Sequence, residues 1–450
     1  MLPSPDQDSD ESLRLSRRSL LAGSLRTTLA AAGLAAFENS AAQSAAELPA
    51  SSRELWQWVR MQPVIDARTA WLDAAAGSST LRSAMATEYR ARELQSMELA
   101  IRRMGGFWSN ESRRLATRFA TFAGCDADEI LFTRGTGEGL SIVAAGLDLV
   151  AGDEVITTQQ EHPAALSPWL FEARRRGIVV KQVELPVPLS GPEQVLGLLA
   201  GAVTDRTRIM AFSHVQYADG ALMPVKELCS LARQRNIVTV VNGAQTFGML
   251  EFAVSDLGCD FYATGFHKWL AGAHGAGLLY VRREMLDRIW PLQPRGIDAS
   301  PPVIAPTSAV GHENVPAALH KLGNIVPYAW PALRGSEAAV DFQDQVGRTR
   351  IEARVRELAI YARMRVQQLA GVEILTPGRP GLWAGILTFR APSRPSVDIA
   401  TALARDNRVY IGSLNWPAEE GALRLSMHIF NSHDEVERLL QGLQRELRKK

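Results

Sequence analysis

Residues 259–272 of the chain read CDFYATGFHKWLAG and combine a short apolar run with a lysine. Residues 261–264 predict a buried strand, and Lys268 follows shortly after it. A lysine held beside His267 and small residues at the end of such a strand loses contact with water, and its amine can then act as a nucleophile toward an aldehyde. A surface lysine at a helix start would give the same local pattern, so the interpretation depends on the rest of the chain.

Short β-branched runs occur on both sides of this stretch and alternate with longer segments of helical character. Strands and helices in alternation predict an α/β fold with a mostly parallel, doubly wound sheet. The predicted strands are 129–133, 154–158, 178–185, 208–214, 237–242, 261–264 and 276–281.

The alternation stops at a proline-rich loop, residues 295–306. Beyond it the sequence predicts a charged helix over 332–369, strands at 386–389 and 423–427, and a terminal helix from His433. This change of pattern predicts a second, smaller α+β domain. The predicted divisions are a leader at 1–46, an N-terminal arm at 47–75, a large domain at 76–325 and a small domain at 326–450.

The composition argues against several classes of function. The 450 residues include 49 Lys+Arg and 48 Asp+Glu, so the net charge of +1 provides no general attraction to nucleic acid, and we expect no such partner. The three cysteines, Cys125, Cys229 and Cys259, match neither a disulfide framework nor a paired-cysteine metal site. We expect buried thiols and no metal.

A candidate anion site lies upstream of the lysine, where residues 132–140 read FTRGTGEGL. The pattern predicts a strand that ends in small residues and leads into a helix. Free backbone N–H groups at such a helix start attract phosphate, and the Thr136 hydroxyl adds a donor. A glycine-rich turn by itself is weak support for phosphate binding.

Three more segments place polar side chains where a ligand could meet them. His162 follows a predicted strand and could stack on a flat aromatic cofactor, although a histidine that enters a helix is the simpler interpretation. Asn242 and Gln245 follow another predicted strand, at the edge where open α/β sheets bind ligands. Arg424 could hold a substrate carboxylate through two parallel hydrogen bonds, or it could lie on a surface strand.

Together these motifs resemble class V enzymes that depend on pyridoxal 5'-phosphate (PLP), in particular the isopenicillin N epimerase-like branch. The resemblance extends from about Ala70 to the C-terminus. It is carried by T-R-x-T-x-E-x-L, E-H-P, S-H-V, V-x-G-A-Q, H-K-W followed by glycines, and L-R-L-S-x-H. It implies the PLP-dependent transferase fold of type I and a homodimer with active sites between subunits.

The resemblance also implies a role for each matching position. Lys268 would hold PLP as a Schiff base, His162 would stack on the PLP ring, and Gln245 would hydrogen-bond its phenolic oxygen. Arg424 would bind the substrate carboxylate. The implied phosphate ligands are Thr136, Gly137 and His267.

Three positions depart from the pattern of this family. Asn242 replaces the usual aspartate at the pyridine nitrogen, which removes a charge-assisted hydrogen bond of about 1.5–3 kcal/mol and predicts a largely unprotonated nitrogen. Gly265 replaces a serine that often binds phosphate, and Thr264, displaced by one position, is a predicted ligand instead. His312 stands where many relatives have a Gly-Thr pair that reaches the neighbouring subunit's phosphate, and it is predicted to replace that contact.

We therefore predict a PLP-dependent enzyme that acts on an amino acid or an amino-acid-like group, with Lys268 as acid and base at Cα. Transamination is the family default, and Asn242 gives weight to epimerisation or β-elimination. Cysteine desulfuration is disfavoured because no cysteine follows Cys259. A PLP-binding protein that has lost catalysis is a further alternative, which Asn242 favours and the intact Lys268 and Arg424 disfavour.

The N-terminal segment has the order of an export signal. Arg17 and Arg18 precede an alanine-rich apolar run at 20–37, and small residues follow it. The arginine pair resembles the twin-arginine signal, and Arg26 makes the run less apolar than a membrane span requires. We expect the twin-arginine machinery to export the protein to the periplasm or beyond, with cleavage within 41–46 and no stable membrane span in the mature form. The alternative is a chance arginine pair before an amphipathic helix.

Changing Arg17 and Arg18 together to lysine should trap the precursor in the cytoplasm, because the export machinery reads the arginine pair as an address. Cell fractionation with N-terminal sequencing measures this. Arg26→Lys is the matched control and should still be exported. A periplasmic protein that begins at Met1 would contradict the prediction.

Overall fold

The structure is a computed structural model of the chain, and it describes residues 48–49, 51–97, 107–292, 314–323, 329–392 and 394–449. Three predicted features lie outside these residues: the leader with its cleavage region, the proline-rich loop at 295–306, and His312. From Arg53 onward the described residues belong to one compact unit.

The described residues contain thirteen strands and thirteen α-helices. The strands are β1 (Ala70–Trp71), β2 (Ile130–Thr133), β3 (Glu154–Thr158), β4 (Val179–Val183), β5 (Thr207–Ser213), β6 (Val238–Asn242), β7 (Phe261–Gly265), β8 (Gly277–Val281), β9 (Glu373–Ile374), β10 (Ile386–Arg390), β11 (Val409–Tyr410), β12 (Gly412–Leu414) and β13 (Ala422–Ser426). The helices are α1 (Ser52–Arg60), α2 (Arg82–Met97), α3 (Phe107–Ala123), α4 (Thr136–Gly146), α5 (Pro163–Arg176), α6 (Pro192–Ala202), α7 (Val225–Arg233), α8 (Val254–Leu257), α9 (Ala317–Leu322), α10 (Trp330–Val346), α11 (Arg348–Val366), α12 (Ser396–Asn407) and α13 (His433–Leu447).

A seven-stranded sheet forms the centre of the larger part of the fold, with the strand order β2-β8-β7-β6-β5-β3-β4. Strand β8 is antiparallel to both of its neighbours, and all other neighbouring pairs are parallel. Each of the seven strands predicted from the sequence is present, with ends that differ by at most two residues. The predicted α/β fold with a mostly parallel sheet is confirmed.

The strands of this sheet are apolar because helices cover them. Every residue of β3, β6, β7 and β8 is buried, as parallel strands covered by helices require. Helix α4 packs on β7, β8 and β6, and it contributes Leu140 and Val143 to a core that also contains Trp169 and Phe261. This buried core fixes the carboxyl ends of the strands relative to one another.

A four-stranded antiparallel sheet, with the order β12-β13-β10-β9, lies in the C-terminal part of the chain. Its own core includes Leu358, Phe389, Leu425 and Leu439, which come from α11, β10, β13 and α13. The predicted strands at 386–389 and 423–427 and the terminal helix from His433 are present. The predicted domain boundaries themselves stay a prediction.

The single helix predicted over 332–369 is wrong, because the chain forms two helices there, α10 and α11. They are separated by Gly347, whose φ of 94° cannot occur inside a right-handed α-helix. The charged sequence of α11 obscured this break. Helix α10 is buried on nearly all sides, whereas α11 has one buried face.

Strand β1, which belongs to the predicted N-terminal arm, pairs in parallel with β11 near the C-terminus. The residues after β1 continue this contact, since Asp73 forms a bridge with Ser426 of β13. This pairing brings an acidic residue from the start of the fold to a strand near its end. A membrane-spanning helix, which needs a long apolar stretch, is not found among the helices of the described ranges.

Candidate active site

Several of the predicted site residues lie where strands of the large sheet end. Asn242 is the last residue of β6, and Lys268 follows the end of β7. Thr136 begins α4 shortly after β2, and His162 precedes α5 shortly after β3. The register of the sheet makes these four strands run in the same direction. Their carboxyl ends therefore meet at one edge, where open α/β sheets bind ligands.

Lys268 lies in the turn after β7 and is partly buried. Burial and the positive charge of Arg424 lower the pKa of its amine to about 8, whereas the Asp73 carboxylate acts in the opposite direction. The turn is held by Trp269, whose buried indole donates a hydrogen bond of 2.9 Å to Gln245 Oε1. The backbone thus holds a readily deprotonated amine at the edge of the sheet.

The start of α4, the turn at Gly265 and the ring of His267 form a small cradle. A Cβ atom placed on Gly265 would lie 3.1 Å from Cε1 of His267 and 3.4 Å from Oγ1 of Thr136. The hydroxyl and the imidazole therefore converge on one place, and the helix start adds free N–H groups that attract an anion. The imidazole of His267 lies in the space that a serine side chain at position 265 would occupy, which explains why this position holds a glycine.

His267 is neutral in this cradle. Burial is the main cause of a pKa lowered to about 4, and the positive charge of Lys268 and the neighbouring His274 act in the same direction. The two imidazole rings are stacked with centroids 5.3 Å apart. A neutral imidazole offers one N–H donor to an anion rather than a full charge.

The other predicted phosphate ligands differ in where the structure places them. A Cβ atom on Gly137 would lie 3.6 Å from Cβ of Ala164, so the starts of α4 and α5 are neighbours. The Thr264 hydroxyl is fully buried and donates to the Gly243 carbonyl oxygen at 3.1 Å. Because that donor is used by the main chain, the structure gives no support to Thr264 as a substitute for the missing serine.

His162 has the helix-entry role considered from the sequence, and its stacking on the PLP ring stays a prediction. It caps α5, since its Nδ1 accepts a hydrogen bond of 3.1 Å from the Ala164 N–H. Its ring is open to solvent on one side and meets Tyr217 edge to face, with centroids 4.9 Å apart. Partial burial, with the charges of Lys268 and Arg424, lowers its pKa to about 4. A neutral, flat ring thus lies within electrostatic reach of the lysine.

Asn242 and Gln245 are buried at the carboxyl edge, as predicted. Asn242 donates from Nδ2 to the Ser213 hydroxyl at 3.0 Å and accepts at Oδ1 from the Ala244 N–H at 3.1 Å. Gln245 donates from Nε2 to the Ala75 carbonyl oxygen at 3.0 Å. Its amide nitrogen carries a second hydrogen, which could serve a phenolic oxygen.

Arg424 is buried on β13, so the alternative of a surface-strand arginine is wrong. Its Nη2 lies 2.9 Å from Asp73 Oδ1, and its Nη1 donates to the Tyr217 carbonyl oxygen at 3.2 Å. Within the described part of the chain its buried Nε has no hydrogen-bond partner. Burial raises the pKa of Asp73, although Arg424 and the Ser426 hydroxyl counteract that effect. The guanidinium is held in place, and not all of its N–H donors are used.

Four residues at this site were not predicted as functional from the sequence: Asp73, Glu161, Ser213 and Tyr217. Two of them carry a signal in the sequence. Asp73 is the only charged residue in the apolar run 70–77, and Glu161 directly precedes His162 after a buried strand. A carboxylate in an apolar setting indicates a paired or functional group. Ser213 begins the S-H-V motif, which by itself assigned it no role, and Tyr217 carries no comparable signal.

The residues at this edge fit PLP. The lysine can add to its aldehyde, the cradle of Thr136 and His267 suits its phosphate, and the neutral ring of His162 suits its flat pyridine. Among the described residues no cluster of metal-binding side chains offers an alternative cofactor. The fit rests on the donor set and on the lowered pKa of Lys268.

Asp73→Asn should lower the pKa of the Lys268 amine below about 8 in the protein without PLP, because the Asp73 carboxylate stabilises the ammonium form. The rate of Lys268 acetylation as a function of pH, followed by mass spectrometry, measures this as a midpoint shifted to lower pH. Asp66→Asn is the control, since that carboxylate pairs with Arg68 and Arg408 at the surface. A midpoint that stays in place or moves to higher pH would argue against electrostatic contact between Asp73 and Lys268.

Comparisons with known proteins agree with this geometry. The family model described as aminotransferase class-V matches residues 70–439. The isopenicillin N epimerase of Amycolatopsis lactamdurans is 33% identical over 72% of this chain and 82% of its own length. A probable cysteine desulfurase of Halalkalibacterium halodurans is 30% identical over 71% of this chain and 77% of its own.

Among solved structures, a variant of C-DES with glycine covalently linked to its PLP cofactor has a TM-score of 0.72 at 22% identity. The match covers 84% of this chain and 97% of that protein, and it shows that the two share a fold. The family match spans both sheets and all of the site residues placed above. The chain belongs to the aminotransferase class-V family and is a PLP-dependent enzyme.

Proposed function

We propose that the protein acts on the amino group of an α-amino acid or a similar compound and moves a proton at its Cα. One observation supports this most directly: the Lys268 amine, with a pKa lowered to about 8, lies within electrostatic reach of the Arg424 guanidinium. The amine can add to a carbonyl, and the guanidinium can bind a carboxylate. PLP, when bound, supplies an aldehyde and a ring that stabilises negative charge at Cα.

Lys268 is suited to act as both acid and base. With a pKa of about 8, roughly a tenth of the amine is neutral at pH 7, compared with about one part in a few thousand for an ordinary lysine. A group that exchanges protons near the working pH transfers them in both directions efficiently. The amine can therefore take the proton from Cα and return it.

Arg424 is suited to orient the substrate. Its guanidinium is fixed by Asp73 and by the Tyr217 carbonyl, so little side-chain freedom is lost when a carboxylate binds. The Asp73 carboxylate neutralises part of its charge, which makes the guanidinium tolerable in a buried place. A substrate held at its carboxylate by Arg424 and at its amino group near Lys268 would have one fixed orientation. Its Cα hydrogen would then point in one direction.

Transamination is the reaction that the family favours by default, and epimerisation and elimination are the alternatives. The similarity to isopenicillin N epimerases and the amide of Asn242 favour epimerisation. Desulfuration is disfavoured although several relatives are cysteine desulfurases, because Cys259 is the last cysteine in the chain. Burial also raises the pKa of Cys259, which makes it a poor nucleophile.

A protein that binds PLP without catalysis is the remaining alternative. Asn242 is the one feature that favours it. The lowered pKa of Lys268 and the buried, incompletely bonded Arg424 count against it, because both arrangements cost stability in a protein that has no use for them.

Lys268→Ala should abolish the PLP adduct that borohydride fixes to the wild-type protein and should slow exchange of the substrate Cα hydrogen in D₂O by about 10²-fold or more, since general acid–base catalysis contributes that much. Peptide mass spectrometry and proton NMR measure the two effects. Lys268→Arg is the control that keeps a positive charge and should fail equally. A fixed adduct on Lys268→Ala would refute the assignment.

The products of the same incubation separate the candidate reactions. A screen of amino acids by mass spectrometry and chiral chromatography would show a keto acid for transamination, or deuterium at Cα with inverted configuration for epimerisation. Elimination would release the β-substituent. A protein that fixes PLP but exchanges no Cα hydrogen with any amino acid would support the non-catalytic alternative.

Arg424→Ala should raise the KM for the substrate by about tenfold or more and leave PLP bound, because the guanidinium is proposed to bind the substrate carboxylate and not the cofactor. Steady-state kinetics together with the cofactor absorbance measure this. Arg424→Lys keeps a charge opposite Asp73 and should show a smaller increase, since it lacks the bidentate geometry. An unchanged KM would place the carboxylate site elsewhere.

We also propose that the mature protein is exported through the twin-arginine pair and acts in the periplasm or outside the cell. The order of charged, apolar and small residues in the leader supports this. A homodimer is proposed from the resemblance to fold type I enzymes, in which both subunits complete each site. His312 would then contribute to the partner's phosphate site. Sedimentation of the holoenzyme decides whether two chains associate.

A further inference from the structure

Glu161 is a buried carboxyl group that the proposed reaction does not use. It follows β3, directly before the ring of His162, and only 5% of its surface is exposed. The Ser213 N–H donates to its Oε1 at 2.7 Å, and the Ser213 hydroxyl donates to its Oε2 at 2.6 Å. Thr158 and Gln216 add longer contacts of 3.4 and 3.5 Å. These partners are all neutral. Burial raises the pKa of the Glu161 carboxyl, and the hydrogen bonds from Ser213, Asn242 and Gln216 counteract that effect because they stabilise the carboxylate.

Ser213 connects this carboxyl group to Asn242. Its hydroxyl gives its hydrogen to Glu161 and accepts the Nδ2–H of Asn242 at 3.0 Å. A hydroxyl that donates in one direction and accepts from the other transmits polarisation along a chain of hydrogen bonds. Because all three side chains are buried, solvent screens this chain weakly.

The chain also fixes the orientation of the Asn242 amide. Its nitrogen faces Ser213, and its oxygen, which accepts from the Ala244 N–H, is directed away from Ser213. A carbonyl oxygen has two lone pairs, so Oδ1 can accept a second hydrogen bond. The amide therefore offers an acceptor to a group at the sheet edge, with a carboxylate behind it.

We propose that Glu161 is a positioning residue that supplies, through Ser213 and Asn242, the negative charge that an aspartate at position 242 would supply directly to the pyridine nitrogen of PLP. The inference rests on the proposed function and on the family's placement of position 242. It revises the expectation from the sequence that this nitrogen is largely unprotonated. The acceptor Oδ1 and the distal carboxylate together favour the protonated nitrogen, although less strongly than a direct carboxylate would.

The test is the protonation state of the cofactor nitrogen rather than activity. The ¹⁵N chemical shift of the ring nitrogen in holoenzyme prepared with ¹⁵N-labelled PLP reports it directly. We expect a largely protonated nitrogen in the wild type and a largely unprotonated one in Glu161→Gln, which keeps the shape of the side chain. A nitrogen with the same shift in both proteins would overturn the proposal.

A binding measurement gives a second, independent readout. PLP and its analogue in which carbon replaces the ring nitrogen differ only at that atom, so the ratio of their affinities isolates the contribution of the nitrogen. Glu161→Gln should reduce this ratio by about threefold to tenfold, since hydrogen bonds to charged groups are stronger than neutral ones. Ser213→Ala should reduce it similarly, because it interrupts the chain but leaves the carboxylate in place.

A double-mutant cycle distinguishes this role from a general structural role. In the Asn242→Asp background a carboxylate meets the nitrogen directly, so Glu161→Gln should change the ¹⁵N shift and the affinity ratio little. An effect of equal size in both backgrounds would refute transmission through Asn242. Glu172→Gln is the matched control, since Glu172 is equally buried but pairs with Arg175 and Arg176 on α5, and it should leave both readouts unchanged.

Failure of this inference can be separated from failure of the proposed function. Borohydride should still fix PLP to Lys268 in Glu161→Gln, because that linkage requires the amine and not the ring nitrogen. If borohydride fixes no PLP to Lys268 in the wild type, the proposed function is refuted. A retained linkage with an unchanged ¹⁵N shift would refute only the role of Glu161.

Discussion

The site depends on the burial of the Lys268 amine, because a charged ammonium group is costly to bury. Burial and the charge of Arg424 lower the pKa of its amine to about 8, while Asp73 limits the decrease. Burial, together with the positive charges of Lys268 and Arg424, also lowers the pKa of His162 and keeps its ring neutral. Burial beside other positive charges thus sets the protonation state of both the Lys268 amine and the His162 ring. The turn that carries Lys268 is held by the next residue, Trp269, whose indole donates a hydrogen bond to Gln245.

The pairing of Asp73 with Arg424 connects three parts of the chain. Asp73 follows β1 near the start of the fold, Arg424 lies on β13 near its end, and Lys268 follows β7 in the middle. Removing one charge of a buried pair leaves the other unpaired, which ordinarily destabilises a protein by several kcal/mol, about 3–5 in measured cases. The carboxylate therefore contributes to the fold as well as to the charge near the lysine, and a substrate carboxylate would bind an arginine that is already oriented.

Asn242 stands where the resemblance to the family leads us to expect an aspartate, and its surroundings alter the meaning of that difference. In isolation an amide is a weaker partner for a pyridine nitrogen than a carboxylate is. In the structure the amide is the near end of a chain through Ser213 to Glu161. A distal charge would moderate the electron demand of the cofactor without abolishing it. An intermediate electron demand of the cofactor is compatible with reactions that return a proton to Cα and retain the amino group.

The sequence by itself determined the order of strands and helices, because apolar periodicity and small-residue turns are local properties. It also predicted Lys268 as the reactive lysine, because several motifs occur in one order. It did not reveal the break at Gly347, where one residue with positive φ interrupts a charged run. The tertiary structure alone decided that Arg424 is buried against Asp73, that the Thr264 hydroxyl is bound to the main chain, and that Glu161 reaches Asn242 through Ser213. Those contacts join residues distant in the chain, and burial, hydrogen bonding and pKa depend on neighbours in space that no local pattern specifies.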